Sequence, residues 1–553
     1  MPHEGLKVCF LALVGWLSEQ IRHSESGHLQ GSSFTSIFHA LRKKSALTVM
    51  IGVSTVLGSR FAFLDRWQLT PMYAAVVAAS VGWWFTAFAL TASSLLARLL
   101  VPLPDPRGLP GPHPIGVVDF EATLPSASQP AFGRLLYPAA TPHTEVSSYM
   151  ALQRHYTASG LSRAFIAIAS PPFLRPYLPV WVLDHWNAVT IPAKRAAPPA
   201  RLTSLPVVVF SHGLTASRET SQSLALSLAA NGALVVLLEH TDRSGALARL
   251  LDGTVIPFDA ALFALGTDPP TAAYLDARRL QTALRVEDVR RHLAVLQSVH
   301  RDDGEASLSF DGLSAEEGAS VLAGLKGRLN LGQVALGGHS FGGCTVLTLA
   351  CEMMLAARRD PSDAPQALRA GKVAEGQYED VALGAIFSLD PALDWLPRSI
   401  QTAMGHEAPA VPTPATNNGK CTPPIPRGAP SPVLSASGVP LLTVWSEEWV
   451  QRGWFKQWTA NLAERAKHPA SHALAVQGCG HQGLCDVAPM LPHRLNLLLR
   501  NSLGCPSGEL ARRVNCATLA FLRNAGVLEG AAVDLATLDG TMAHRRAGDV
   551  AQL

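Results

Sequence analysis

A chain of 553 residues in which 48% are hydrophobic and only 16% charged is long for one core and poorly charged for an ordinary soluble surface, so a domain with a membrane-associated appendage is expected. The net charge of +3, with no Lys/Arg stripe interleaved with aromatic residues, argues against a nucleic-acid partner. The eight cysteines, Cys9, Cys344, Cys351, Cys421, Cys479, Cys485, Cys505 and Cys516, are too scattered for a disulfide scaffold; Cys479/Cys485 and Cys505/Cys516 could each be bridged, but neither pair has C-x-x-C spacing. Free buried thiols are expected, with no metal and no cofactor.

In chain order, Lys7 to Leu17 has the apolar character of a signal-peptide core, but no small-residue cleavage site follows before the polar stretch Ser18 to Ser33. Ser45 to Leu64 is a candidate span, and Tyr73 to Ala97 is a charge-free run long enough to cross a hydrocarbon core of about 30 Å. Residues 1–101 are therefore read as an N-terminal membrane region with candidate spans at 45–64 and 73–97. One span with Arg42, Lys43 and Lys44 inside would put the following domain outside, whereas a hairpin would put it in the cytoplasm. Residues 102–114 (PLPDPRGLPGPHP) form a Pro/Gly-rich linker.

From residue 115 the pattern changes. Short apolar runs without polar alternation at Val207 to Phe210, Ala233 to Leu238, Val334 to Leu336, Leu383 to Leu389, Leu441 to Trp445 and Ala473 to Val476 predict strands of a parallel sheet buried on both faces. Helical spacing at Arg285 to His300, Cys344 to Ala357 and Val450 to Lys467 supplies the covering layers. The expected fold is an α/β-hydrolase domain over 115–530, with a Pro/Ala/Thr-rich insertion at 401–432 expected to be disordered. Arg243 to Arg279 is a possible cap over the site, and 531–553 is a C-terminal tail.

Chemistry centres on Gly338-His339-Ser340-Phe341-Gly342, a G-x-S-x-G pattern with a strand before it and a helix after it. That is the context of a nucleophile elbow, in which glycines remove Cβ atoms from a sharp turn and expose the serine. A serine alcohol needs a base, and the base an orienting acid. Asp390, directly after the Leu383–Leu389 run, and Asp394, in Pro391-Ala392-Leu393-Asp394-Trp395, both compete for the acid. His481, in the turn Cys479-Gly480-His481-Gln482-Gly483, is the candidate base among nineteen histidines. Oxyanion donors are expected at the amides of Phe341 and, in the turn Ser211-His212-Gly213-Leu214, of Leu214.

Taken together these motifs resemble the platelet-activating-factor acetylhydrolase family. The resemblance runs through Phe210-Ser211-His212-Gly213-Leu214, Glu239-His240-Thr241-Asp242-Arg243-Ser244 (similar to the family's EHRDRS), Gly338 to Gly343, Leu389-Asp390 with Trp395, and His481-Gln482. It implies Ser340 as nucleophile, Asp390 as acid, His481 as base, and Leu214 and Phe341 as oxyanion donors. The family's LDAW reads LDPALDW here, which keeps Asp394 open. The implied substrate is a phospholipid with a short or oxidised sn-2 acyl group, hydrolysed without a metal. The membrane region and the insertion from Gln401 are departures from the family pattern, the former adding a membrane as partner, and no protein partner is inferred. Competing readings are a general carboxylesterase or lipase, and an inactive hydrolase fold serving as a membrane-tethered binding module.

Overall fold

Strands made of consecutive aliphatic residues have no face to offer water and must be covered on both sides. The computed structural model describes residues 108–140, 148–150, 190–264, 270–359, 381–403, 438–451, 468–489, 493–533, 535 and 542–544. Its central strands are β1 (Ile115–Thr123), β2 (Ala131–Pro138), β3 (Leu205–Ser211), β4 (Leu234–Leu238), β5 (Leu329–His339), β6 (Leu383–Leu389), β7 (Leu441–Ser446) and β8 (His472–Val476). Their order across the sheet is β1-β2-β4-β3-β5-β6-β7-β8, with Ser307–Phe310 beyond β1 and Met542–His544 beyond β8. The run from β4 to β8 is parallel throughout. The sheet is mixed, however. β1, β2 and the two outermost strands pair antiparallel, an addition to the parallel sheet expected from the central runs.

Side chains of β3 alternate between two cores, Val207 and Val209 on one face and Val208 and Phe210 on the other, as a period of two requires. On the first face pack α2 (Ala272–Arg301), through Val286, Val289 and Leu293, and α3 (Phe341–Arg359), through Val346 and Ala350; on the second pack α1 (Gln222–Ala230), through Leu224 and Leu228, and α4 (Ser507–Asn524), through Val514 and Phe521. Every residue of β4, Leu-Val-Val-Leu-Leu, is buried, each contributing about 1.5–3 kcal/mol of transfer free energy before the entropy of ordering is set against it. The result is an α/β-hydrolase-like arrangement of a mostly parallel sheet between two helical layers.

Part of the expected linker belongs to this body. The Leu109 amide donates to Ser227 Oγ at 2.7 Å and the His113 amide to the Ala230 carbonyl at 3.1 Å, while a Cβ on Gly111 would collide with that same carbonyl. Within the tail, Leu535 is buried and Met542–His544 extends the sheet from β8. The expected cap contains a small hairpin, Leu247–Arg249 with Val255–Pro257, and the short helix Ala260–Ala264. The candidate spans at 45–64 and 73–97 and the insertion from residue 404 onward lie outside the described residues, as does the helical pattern beyond residue 451. Among the described residues no helix is long and apolar enough to cross a membrane.

Candidate active site

The chain passes from β3 through α1 to β4 on one side and later returns to place β5 on the other, so the strand order reverses between β3 and β5. Ligand crevices in such sheets open at the carboxyl ends beside that reversal. Ser340 follows β5 immediately, with φ at +55°. Such a backbone is strained for a residue with a side chain, and here it is held by hydrogen bonds. The Ser340 amide donates to the Leu389 carbonyl at 2.7 Å, and the Ser340 carbonyl accepts from Ala392 at 3.0 Å and Cys344 at 3.1 Å. The turn closes only because Gly338 and Gly342 lack side chains: a Cβ on Gly338 would meet the Gly342 backbone, and one on Gly342 the Ser211 carbonyl.

Asp390 stands at the end of β6 and His481 in the turn after β8. His481 Nε2 is 3.0 Å from Ser340 Oγ, and its Nδ1 is 3.0 Å from Asp390 Oδ2. The carboxylate contact selects the tautomer with the proton on Nδ1, which leaves Nε2 free to accept from the serine. Asp390 is fully buried and also accepts from the Ser446 amide at 2.7 Å and from the Ser446 hydroxyl. Burial raises its pKa, and the hydrogen bond and charge of His481, with those from Ser446, act against that rise. The imidazole is clamped as well as hydrogen-bonded. Trp449 stacks on it at 4.3 Å and 7°, His339 at 4.8 Å and 29°, and the His481 amide donates to Glu448 Oε2 at 2.9 Å.

The turn after β3 lies directly against this group. A Cβ built on Gly213 would come 3.3 Å from Ser340 Cβ, so the Gly213–Leu214 peptide runs beside the nucleophile. Phe341 opens α3. Of the candidate donors, Leu214 thus belongs to the turn after the neighbouring strand β3, and Phe341 directly follows Ser340 itself.

Residues 105–358 match the family model described as platelet-activating factor acetylhydrolase, isoform II. This chain is similar to the platelet-activating factor acetylhydrolases. Curated relatives of that name from Cavia porcellus and Gallus gallus are 27% identical over 248 residues and 28% over 247, in each case 43% of this chain and 50% and 54% of theirs. The chain thus spans about half the length of the curated relatives it matches. A solved ferulic acid esterase from Streptomyces cinnamoneus superposes with a TM-score of 0.43 at 16% identity, covering 76% of this chain and 91% of its own. The resemblance read from the motifs is borne out.

The acetylhydrolase-like segment contains Leu214, Ser340 and Phe341, whereas Asp390 and His481 lie beyond residue 358 and are joined to it by the fold. Asp394 sits in the turn Leu393–Trp395, and the carboxylate on His481 is that of Asp390. Burial drives the Asp394 carboxyl up to about 7, with Arg279 opposing. His339, the residue before the serine, packs its ring on His481. Ser446, Glu448 and Trp449 escaped the sequence reading; their signal was the Ser-Glu-Glu-Trp that closes the Leu441 to Trp445 run. Also unforeseen is a second Ser-His-Asp array, which joins His240 of the EHTDRS stretch to Ser211 at the end of β3 and Asp288 on α2. Ser211 Oγ is 2.7 Å from His240 Nε2, and His240 Nδ1 is 2.9 Å from Asp288 Oδ2. All three residues are buried, and burial, with nearby Arg285, drives the His240 pKa well down. That array braces the turn after β3 from within the core. The six described cysteines are free, with Cys505 and Cys516 partly exposed.

Proposed function

We propose that the protein is a serine esterase acting on the sn-2 ester of phospholipids that carry an acetyl or other short or oxidised acyl group, as in platelet-activating factor. The observation that carries the reading is the continuous Asp390–His481–Ser340 hydrogen-bond chain at a strained strand-to-helix turn. Ser340 Oγ attacks the ester carbonyl while His481 Nε2 takes its proton. The developing oxyanion is met by the amides of Leu214 and Phe341. His481 then returns the proton to the departing lysophospholipid oxygen, and water, deprotonated by the same imidazole, releases the acid from Ser340. Asp390 stabilises the imidazolium without itself taking a proton.

The substrate class rests on the acetylhydrolase resemblance and on a surface feature. Leu497, Leu498 and Leu499 are exposed and lead into Arg500 and Asn501, whose backbone packs on Gly480 beside His481. An apolar rim next to a hydrolytic centre suits a substrate that lies in a bilayer. We also place the candidate spans, Tyr73 to Ala97 above all, as the attachment that holds the domain at a membrane.

Labelling with a fluorophosphonate should occur in the wild type and vanish in Ser340→Ala. Incubation with matched acetyl and palmitoyl phosphocholines in chelator then tests the substrate, with the acetyl lipid expected to turn over faster. Preference for the palmitoyl lipid or a calcium requirement would favour a general lipase. Failure to label would favour an inactive binding module.

A further inference from the structure

Fully buried arginines are costly to desolvate, so one held in the core needs partners that compensate it. Arg285, on α2, is fully buried and touches both sides of the candidate oxyanion site. Its Nη1 donates to the His212 carbonyl at 2.6 Å and its Nη2 to the Gly213 carbonyl at 3.3 Å. Its Cζ lies over the Phe341 ring, 4.3 Å from the ring centre. Behind it, Nε donates to Ser244 Oγ at 2.9 Å and the Asp242 carboxylate stands 3.4 Å away, so the guanidinium is anchored from the side opposite the turn.

A trans peptide points its C=O and its N–H in opposite directions. With the Gly213 carbonyl turned toward Arg285, the Leu214 N–H of the same peptide is turned away from it. The Gly213 carbonyl is further held by His212 Nδ1 at 2.8 Å. We propose that Arg285 is the positioning residue of the oxyanion site: its guanidinium fixes the direction of the Leu214 amide through the Gly213 carbonyl and supports Phe341 from beneath, so that both donors are aimed before substrate arrives. This rests on the esterase reading above. A cation on the carbonyl also polarises the peptide, which makes its N–H a better donor to developing negative charge. Lysine cannot replace it, because the task needs two carbonyls and a hydroxyl met by one planar group.

Arg285→Lys and wild type are compared for kcat, KM, melting temperature and inhibition by a trifluoromethyl ketone, which adds to Ser340 and leaves an oxyanion in the site. The expected result is a kcat lowered about 10²-fold, as for loss of one oxyanion donor. KM should stay within about threefold, with ketone affinity falling in step with kcat. A folded Arg285→Lys variant that keeps wild-type kcat, or whose loss lies in KM with ketone affinity intact, overturns the proposal. Should that variant melt below the assay temperature, Ser244→Ala, which removes the hydroxyl that accepts from Nε and that itself donates to Asp242, takes its place: a kcat drop of about fivefold or more at constant KM supports the role, and an unchanged kcat overturns it. Ser340→Ala is assayed alongside. Activity surviving in Ser340→Ala would instead sink the esterase reading, so the two failures are distinguishable.

Discussion

His481 is a residue with no freedom left: two rings clamp its faces, Glu448 holds its amide, and Asp390 and Ser340 take its two nitrogens. Replacing Asp390 by Asn keeps the shape but favours the wrong imidazole tautomer, and kcat is expected to fall about 10⁴-fold. Asp394→Asn should leave kcat near wild type, because that carboxyl stands apart from His481. The reverse pattern in steady-state assays would move the acid to Asp394. The same variant carries a stability signature. Burial raises the folded Asp394 pKa to about 7, against about 3.9 in an unfolded chain. The native state therefore binds the proton more tightly, and its contribution to stability is full below about pH 4 and is lost as pH rises toward 7. Asp394→Asn removes that slope, so chemical denaturation of the variant should show less loss of stability than wild type across this window. An identical pH slope in the two proteins would contradict the assignment.

The nucleophile elbow is the element on which the site depends, and its geometry is a matter of close approach. Gly342 lies at the first turn of α3, where a Cβ would enter the carbonyl of Ser211 at the end of β3. Gly342→Ala must push α3 or the neighbouring turn aside, at a cost of about 1–3 kcal/mol or more. Because that turn leads to Leu214, kcat should fall with stability. Urea unfolding and initial rates check both, and a stable, fully active Gly342→Ala would show that the elbow tolerates a wider crossing. This element was legible beforehand because its evidence is local: an apolar strand, a G-x-S-x-G turn and a helical pattern follow one another without interruption. β1 and β2 were not, since their polar residues resemble a solvent face. Asp119 and Arg134 are in fact buried against each other, with Arg134 Nε donating to Asp119 Oδ1 at 2.7 Å, and a pair between strands is invisible in either strand alone.

At the scale of the whole molecule, the proposed membrane attachment yields a separate prediction. On that proposal the charge-free run from Tyr73 to Ala97 would hold the chain in the hydrocarbon core against alkaline carbonate, so the full chain should remain with the membrane pellet, while release into the supernatant would contradict the attachment. Protease protection in sealed vesicles then reports which side the hydrolase domain occupies. The sequence by itself determined what depends on neighbours along the chain: the six central strands, the strained serine, and an acid placed directly after a strand. It left Asp390 and Asp394 in competition and drew His481 from among nineteen histidines. Only the tertiary structure decided which carboxylate faces His481, that Trp449 and His339 clamp it, and that Arg285 reaches across 73 residues to the His212 carbonyl. The physical reason is that a turn is set by local backbone sterics, whereas a hydrogen-bond partner is set by which strand ends the sheet brings side by side.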